Sequence, residues 1–181
     1  MSRIIRAALA ACAGAVAVAG SASTAHADPS TFRAAADAPP YVRLQVEYSK
    51  TCLTIVDGSI REGAYAVEGT CSTEAENQLF RLRPVGGAAF ELMAKHSGRC
   101  LTDPPEDQSD VLQRWCDDRS GQRWKVMLVE VTKELYELRP VNRPDECLSM
   151  GGYRPGEEPK VYITTCYGLT SQRWRFLPAT S

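Results

Sequence analysis

Thr51-Cys52-Leu53-Thr54, Arg99-Cys100-Leu101-Thr102 and Glu146-Cys147-Leu148-Ser149 open three successive stretches of the chain that follow one plan. Each runs through a turn-rich segment to a second cysteine, Cys71, Cys116 or Cys166. Each then closes on a glutamine two residues ahead of an aromatic: Gln78-Leu79-Phe80, Gln122-Arg123-Trp124 and Gln172-Arg173-Trp174. The opening cysteines stand 48 and 47 residues apart. Self-similarity at a period of about 20–50 residues marks a fold assembled from copies of one unit, each too small to bury its apolar face alone. The units run from about 41 to 86, 87 to 133 and 134 to 178.

The repeat also pairs the cysteines. Six of them, counted without context, allow about 15 pairings. Here each unit holds two, separated by 19, 16 and 19 residues. A self-similar fold makes the same bridge in each unit: Cys52–Cys71, Cys100–Cys116 and Cys147–Cys166. Each would close a loop for which chain entropy gives about 3 kcal/mol. Zinc is a poor alternative, because no two of these cysteines lie within four residues and His96 is the only histidine beyond residue 27.

Between the cysteines the patterning has a period of two. Val42, Leu44 and Val46 alternate with Arg43, Gln45 and Glu47, and the period recurs in Phe80–Leu82, Trp124–Val126, Tyr136–Leu138 and Trp174–Phe176. Turn chemistry interrupts these runs at Asp57-Gly58, Gly86-Gly87, Pro104-Pro105, Gly151-Gly152 and Pro155-Gly156. Short strands at this spacing predict an all-β barrel or sandwich.

The N-terminus reads differently. Arg3 and Arg6 precede the apolar run 7–19, and small residues end in Ala25-His26-Ala27. That layout predicts a secretory signal peptide over 1–27, with an apolar stretch too short for a membrane anchor of about 20 residues. Residues 28–40, rich in Ala and Pro and without apolar periodicity, read as a flexible tail, and 41–181 as the folded domain. The whole chain carries 21 basic and 22 acidic residues; without Arg3 and Arg6 the balance is 19 against 22, or −3. A mildly acidic surface gives no electrostatic reason to expect nucleic acid or membrane insertion. An even number of cysteines in an exported chain fits the extracellular space.

Three units of Cys-Leu, a second Cys and Gln-x-Trp or Gln-x-Phe resemble the ricin-type lectin domain over roughly residues 41–178. The resemblance implies a β-trefoil of twelve strands: a six-stranded barrel capped by three hairpins. Leu53, Leu101, Leu148, Phe80, Trp124 and Trp174 should then meet in one core. The motif glutamines Gln78, Gln122 and Gln172 read first as structural, because an amide both donates and accepts where the chain enters its last strand.

In this family each unit can hold a sugar with an Asp two residues after the first Cys, an aromatic two residues before the second, and an Asn beside the Gln-x-Trp motif. The first position here reads Thr54, Thr102 and Ser149, the second Gly69, Arg114 and Thr164, and only Asn77 keeps the third. With one residue of slippage, the second unit offers Asp103, Trp115, Asp117 and Asp118, an acceptor and an aromatic face within one bridged lobe. The third offers Tyr153 and Tyr162 for stacking, and the first Asn77 and Gln78 for hydrogen bonds. A catalytic set is missing: His96, beside a Ser-Gly turn, reads as solvent-facing, there is no glycine-bracketed serine, and paired cysteines leave no thiol nucleophile. The expected protein is a monomeric, non-enzymatic, cofactor-free lectin for a galactose-like glycan. The competing expectation is a trefoil with degenerate sugar sites that binds another protein, as a toxin-delivery subunit or an inhibitor.

Overall fold

The computed structural model describes residues 41–105, 108–151 and 159–179. They form twelve strands, four per repeat. The first lobe has β1 (Val42–Val46), β2 (Cys52–Ile55), β3 (Ala66–Gly69) and β4 (Phe80–Pro84). The second has β5 (Phe90–Ala94), β6 (Cys100–Thr102), β7 (Leu112–Arg114) and β8 (Trp124–Glu130). The third has β9 (Leu135–Pro140), β10 (Glu146–Met150), β11 (Val161–Thr165) and β12 (Trp174–Pro178). A short 3-10 turn precedes each fourth strand, at Glu76–Gln78, Ser120–Gln122 and Thr170–Gln172.

The first and fourth strands of the lobes close on one another. β1 pairs β4, β4 pairs β5, β5 pairs β8, β8 pairs β9, β9 pairs β12 and β12 returns to β1, all antiparallel. This is the six-stranded barrel that the resemblance implies, and closure removes the free edges a small sheet would expose. The second and third strands form three hairpins, β2–β3, β6–β7 and β10–β11. They meet through backbone bonds near the pseudo-threefold axis, Ala66 N–H to Val111 O and Val111 N–H to Val161 O, both 2.8 Å.

The core follows the repeat. Leu44, Leu92 and Leu138 from the first strands, Leu53, Leu101 and Leu148 from the second, and Phe80, Trp124 and Trp174 from the fourth are all fully buried in one cluster. Both indoles find a partner within their own lobe: Trp124 Nε1 donates to Leu101 O at 3.1 Å and Trp174 Nε1 to Leu148 O at 2.9 Å. Phe80 needs none. The three bridges are Cys52–Cys71, Cys100–Cys116 and Cys147–Cys166, with Cα–Cα distances of 5.0, 5.0 and 5.1 Å.

Two sequence expectations are corrected. Arg43 stands on β1 where alternation assigns an exposed side chain, yet it is buried. Its guanidinium donates to Ser72 O and Thr73 O at 2.7 and 2.8 Å and ties down the segment after Cys71. His96 is half-buried rather than solvent-facing, with Nε2 3.0 Å from Ser59 O and Nδ1 enclosed without a partner. In both cases a polar end reaches backbone carbonyls of a distant loop, which alternation along one strand cannot foretell.

Candidate functional site

The three motif glutamines make the same bonds in every lobe. The amide nitrogens of Gln78, Gln122 and Gln172 donate to Thr70 O, Trp115 O and Thr165 O at 2.8, 2.7 and 2.7 Å. Their Oε1 atoms accept from Ser72, Asp117 and Tyr167 N–H at 2.9, 2.9 and 2.8 Å. All three are buried. Each clamps the chain just around the second cysteine to the turn that starts the fourth strand. Gln78 is therefore unavailable as a sugar ligand: its amide is consumed by the fold.

In the second lobe a cleft of about 240 Å³ opens between the β6–β7 hairpin, the turn Ser120–Gln122 and the β9–β10 loop. Thr102, Asp103, Pro104, Arg114, Arg119 and Asn142 lie among its walls. Asp103 has no exposed side-chain surface. Its Oδ2 accepts from Arg143 Nε at 3.0 Å and Asn142 Nδ2 at 3.3 Å, and Oδ1 forms an ion pair with Arg143 Nη2. Trp115 is 60 % exposed, does not line the cleft, and carries the Arg99 guanidinium 4.2 Å above its ring. Asp103 and Trp115 therefore do not converge. The reason is the slippage itself, because one residue along an extended chain turns the side chain to the opposite face. Thr102 and Arg114, at the family's own positions, line the cleft. Asp103 turns inward to the place that Ile55 and Met150, also three residues after their cysteines, occupy in the other lobes. Asp117 pairs with Arg119 and Asp118 with Arg123, which accounts for both as turn-stabilising acids.

In the third lobe a groove of about 340 Å³ is lined by Tyr48, Met150, Gly151, Tyr162, Leu169, Thr170 and Ser171. Tyr162 projects from β11 opposite Ser149. Tyr48, 73 % exposed, comes from the β1–β2 turn, held there by its N–H bond to Thr170 O at 3.2 Å. Tyr153 lies outside the described residues. Tyr48 was not legible as a site residue within its own repeat. Barrel closure, which seats the β1–β2 turn against the last lobe, is the signal that would have found it.

The first lobe is filled. A Cβ on Gly69, at the family's aromatic position, would collide with Thr54 Oγ1. Asn77 spends its amide on Ile55 O at 2.8 Å. Asp57 and Gly58 both take positive φ, 53° and 60°, as a tight turn requires. Near the third-lobe groove, the Glu47 carboxyl sits below its ordinary pKa, chiefly through its hydrogen bond to Lys50, with Arg175 and Lys133 adding to the effect. Glu137 lies beside Cys147 and Cys166, but both sulfurs are bridged and offer no thiolate to a metal.

The model for the ricin-type beta-trefoil lectin domain-like family matches residues 28–104 and again 76–162. The two matches begin 48 residues apart, the spacing of Cys52 and Cys100. The chain belongs to this family. Among solved structures, the chain is similar to the designed threefold-symmetric protein ThreeFoil, with 22 % identity, a TM-score of 0.67, and 76 % of this chain and 97 % of that one covered. It is also similar to the hemolytic lectin CEL-III (24 % identity, TM-score 0.62, 77 % and 31 % covered). A third is the earthworm lectin C-terminal domain mutant in complex with 6'-sialyllactose (14 % identity, TM-score 0.63, 77 % and 99 % covered). Cytolethal distending toxin from Actinobacillus actinomycetemcomitans shares the fold as well, at 17 % identity and a TM-score of 0.62 over 79 % of this chain and 94 % of that one. At these identities the likeness establishes the trefoil architecture. No curated protein matches the chain. Three disulfides in a ricin-type trefoil of this size fit an oxidising compartment.

Proposed function

We propose that this protein is a secreted, non-catalytic lectin that holds a galactose-like sugar in the groove of its third lobe. The observation that carries the reading is the meeting of Tyr48 and Tyr162 with the hydroxyl-bearing Thr170 and Ser171 around one open groove. Aromatic faces pack the apolar side of a pyranose ring, while hydroxyls exchange hydrogen bonds with its rim. Such a shallow site binds weakly, and multivalent display of the glycan compensates for that. The signal-like segment 1–27 and the three bridges support export, with residues 28–40 as a tail ahead of the domain.

The test is a glycan array on the oxidised protein beside Tyr48→Ala, Tyr162→Ala and Trp115→Ala variants. Binding that both tyrosine substitutions abolish and Trp115→Ala leaves intact is the expected result. Binding that survives both tyrosine substitutions removes the third lobe from consideration.

A second reading, a trefoil that binds another protein, is favoured by one feature of the β8–β9 ribbon. Met127, Leu128, Val129 and Val131 are all exposed there. A correctly folded protein that binds no glycan on the array would transfer the lead to this reading.

A further inference from the structure

The second-lobe cleft has an unusual charge arrangement. Nearly every arginine among the described residues is already engaged. Arg43 holds backbone carbonyls, and Arg81 and Arg99 lie over Tyr41 and Trp115. Arg83, Arg119, Arg123, Arg139, Arg143, Arg173 and Arg175 each face a carboxylate. The exceptions are Arg61, exposed on the surface, and Arg114, half-buried in the wall of the cleft. Arg114 stands opposite Cys100 in the β6–β7 register, two residues from Leu112, which faces Thr102. Alternation therefore puts Arg114 and Thr102 on one face of the hairpin.

We propose that this cleft is a second sugar subsite, selective for acidic saccharides, in which Arg114 receives the ligand's carboxylate or sulfate. A guanidinium presents paired N–H donors that match either anion, and it binds such a group far better in a partly desolvated wall than in open water. Among the described residues, Asp103 is the one acid that lines the cleft, and it does not compete. Asp103 is sealed from solvent and held by Arg143 and Asn142, and Arg143 is further balanced by Glu146 at 3.0 Å. Arg119, on the rim, is neutralised by Asp117. Among the described residues, that leaves Arg114 as the one guanidinium in the cleft without a counter-ion. Thr102, Ser120 and Asn142 supply neutral polar groups for the rest of a ring. Among the described residues no aromatic lines this cleft, so a neutral sugar lacks the stacking face it finds in the third lobe. The two sites divide by chemistry: aromatic and neutral in one, cationic in the other.

The test is a two-dimensional NMR titration of the isotope-labelled, oxidised protein with glucuronic acid, galactose 4-sulfate and galactose in separate series. The expected result is saturable shifts at the amides of Thr102, Ser120 and Gly121 with at least one acid, and none there with galactose. A response to glucuronic acid alone assigns a carboxylate ligand, and to the sulfate alone a sulfated one. A charge-assisted bidentate contact implies that Arg114→Met weakens the acid by about 10- to 100-fold, while Arg114→Lys retains part of the affinity. Tyr162→Ala leaves the acid titration unchanged, which separates this subsite from the third-lobe reading. Absence of shifts with both acids, equal response to galactose, or an unchanged affinity in Arg114→Met overturns the proposal. So does acid binding that disappears in Tyr162→Ala.

Discussion

Replacing Gln122 by alanine tests whether the repeat motif belongs to the fold or to a ligand. The side chain makes three bonds within the lobe: to Trp115 O at 2.7 Å, from Asp117 N–H at 2.9 Å and to Thr102 Oγ1 at 3.2 Å. It is buried, so water cannot replace all of these partners in place. A buried polar group left without a partner costs roughly 1–3 kcal/mol, and a net hydrogen bond is worth about 1 kcal/mol. The Trp115 carbonyl and the Asp117 amide are the groups stranded. We therefore expect a loss of about 2–4 kcal/mol, read by reversible denaturant unfolding with the disulfides intact. For a domain of this size that corresponds to a midpoint drop on the order of 10 °C. The m-value should not change, because the same surface unfolds. Gln78→Ala removes the same three bonds, with Thr54 Oγ1 at 3.1 Å in place of Thr102, and Gln172→Ala removes two of them and a bond from Leu169 N–H at 3.4 Å, so both should cost similar amounts. A loss below about 1 kcal/mol in all three variants would refute the structural role and reopen Gln78 as a ligand contact.

Three further outcomes follow from the geometry. Asp103→Ala leaves the largely buried Arg143 guanidinium with Glu146 as its one carboxylate partner among the described residues, and should cost about 3–5 kcal/mol, whereas Asp103→Ile with Arg143→Leu, imitating the apolar occupant of the other lobes, should be neutral or stabilising in the same unfolding assay. Removing one bridge as Cys100→Ser with Cys116→Ser should lower stability by about 3 kcal/mol, as the chain-entropy estimate for a loop of this length gives; an equal stability of the reduced and oxidised forms would contradict it. Glu47→Gln tests linkage: the wild-type carboxyl titrates below its ordinary value of 4.5, so its stabilising contribution is fully present above that pH and is lost as pH falls through the lowered value. The variant should be slightly less stable than wild type at neutral pH and indistinguishable from it in strong acid, as followed by thermal unfolding across a pH series.

Much of the architecture was legible because it is written three times. The Cys-Leu and Gln-x-aromatic positions recur in each lobe, and symmetry leaves their side chains one equivalent place to go. Leu53, Leu101 and Leu148 had to share a core once the units shared a period, and the cysteines had to pair within units. The candidate sites were less legible because they lie where the copies differ. Arg114 read as a missing aromatic, when it is a half-buried cation in the wall of a cleft. Tyr48 read as part of the first repeat, when closure of β12 against β1 hands it to the third. Asn142, from the β9–β10 loop, likewise completes the cleft of the lobe before its own.

Strand parity explains the one candidate pair that failed. Sequence proximity treats Asp103 as a near-substitute for an acid at Thr102, and Trp115 as a near-substitute for an aromatic at Arg114. Along an extended chain the neighbouring position is the worst substitute, since it faces the other way. A one-residue slip placed the carboxylate in the core side of the lobe, where it required Arg143 to neutralise it, and placed the indole outside the cleft, where Arg99 covers its ring. The same parity gives the positive rule for this domain. On the β6–β7 hairpin Leu101 faces the core, whereas Thr102 and Arg114 share the other face and line the cleft, so a ligand of this lobe is to be sought through these two even though neither has the residue type the family leads one to expect.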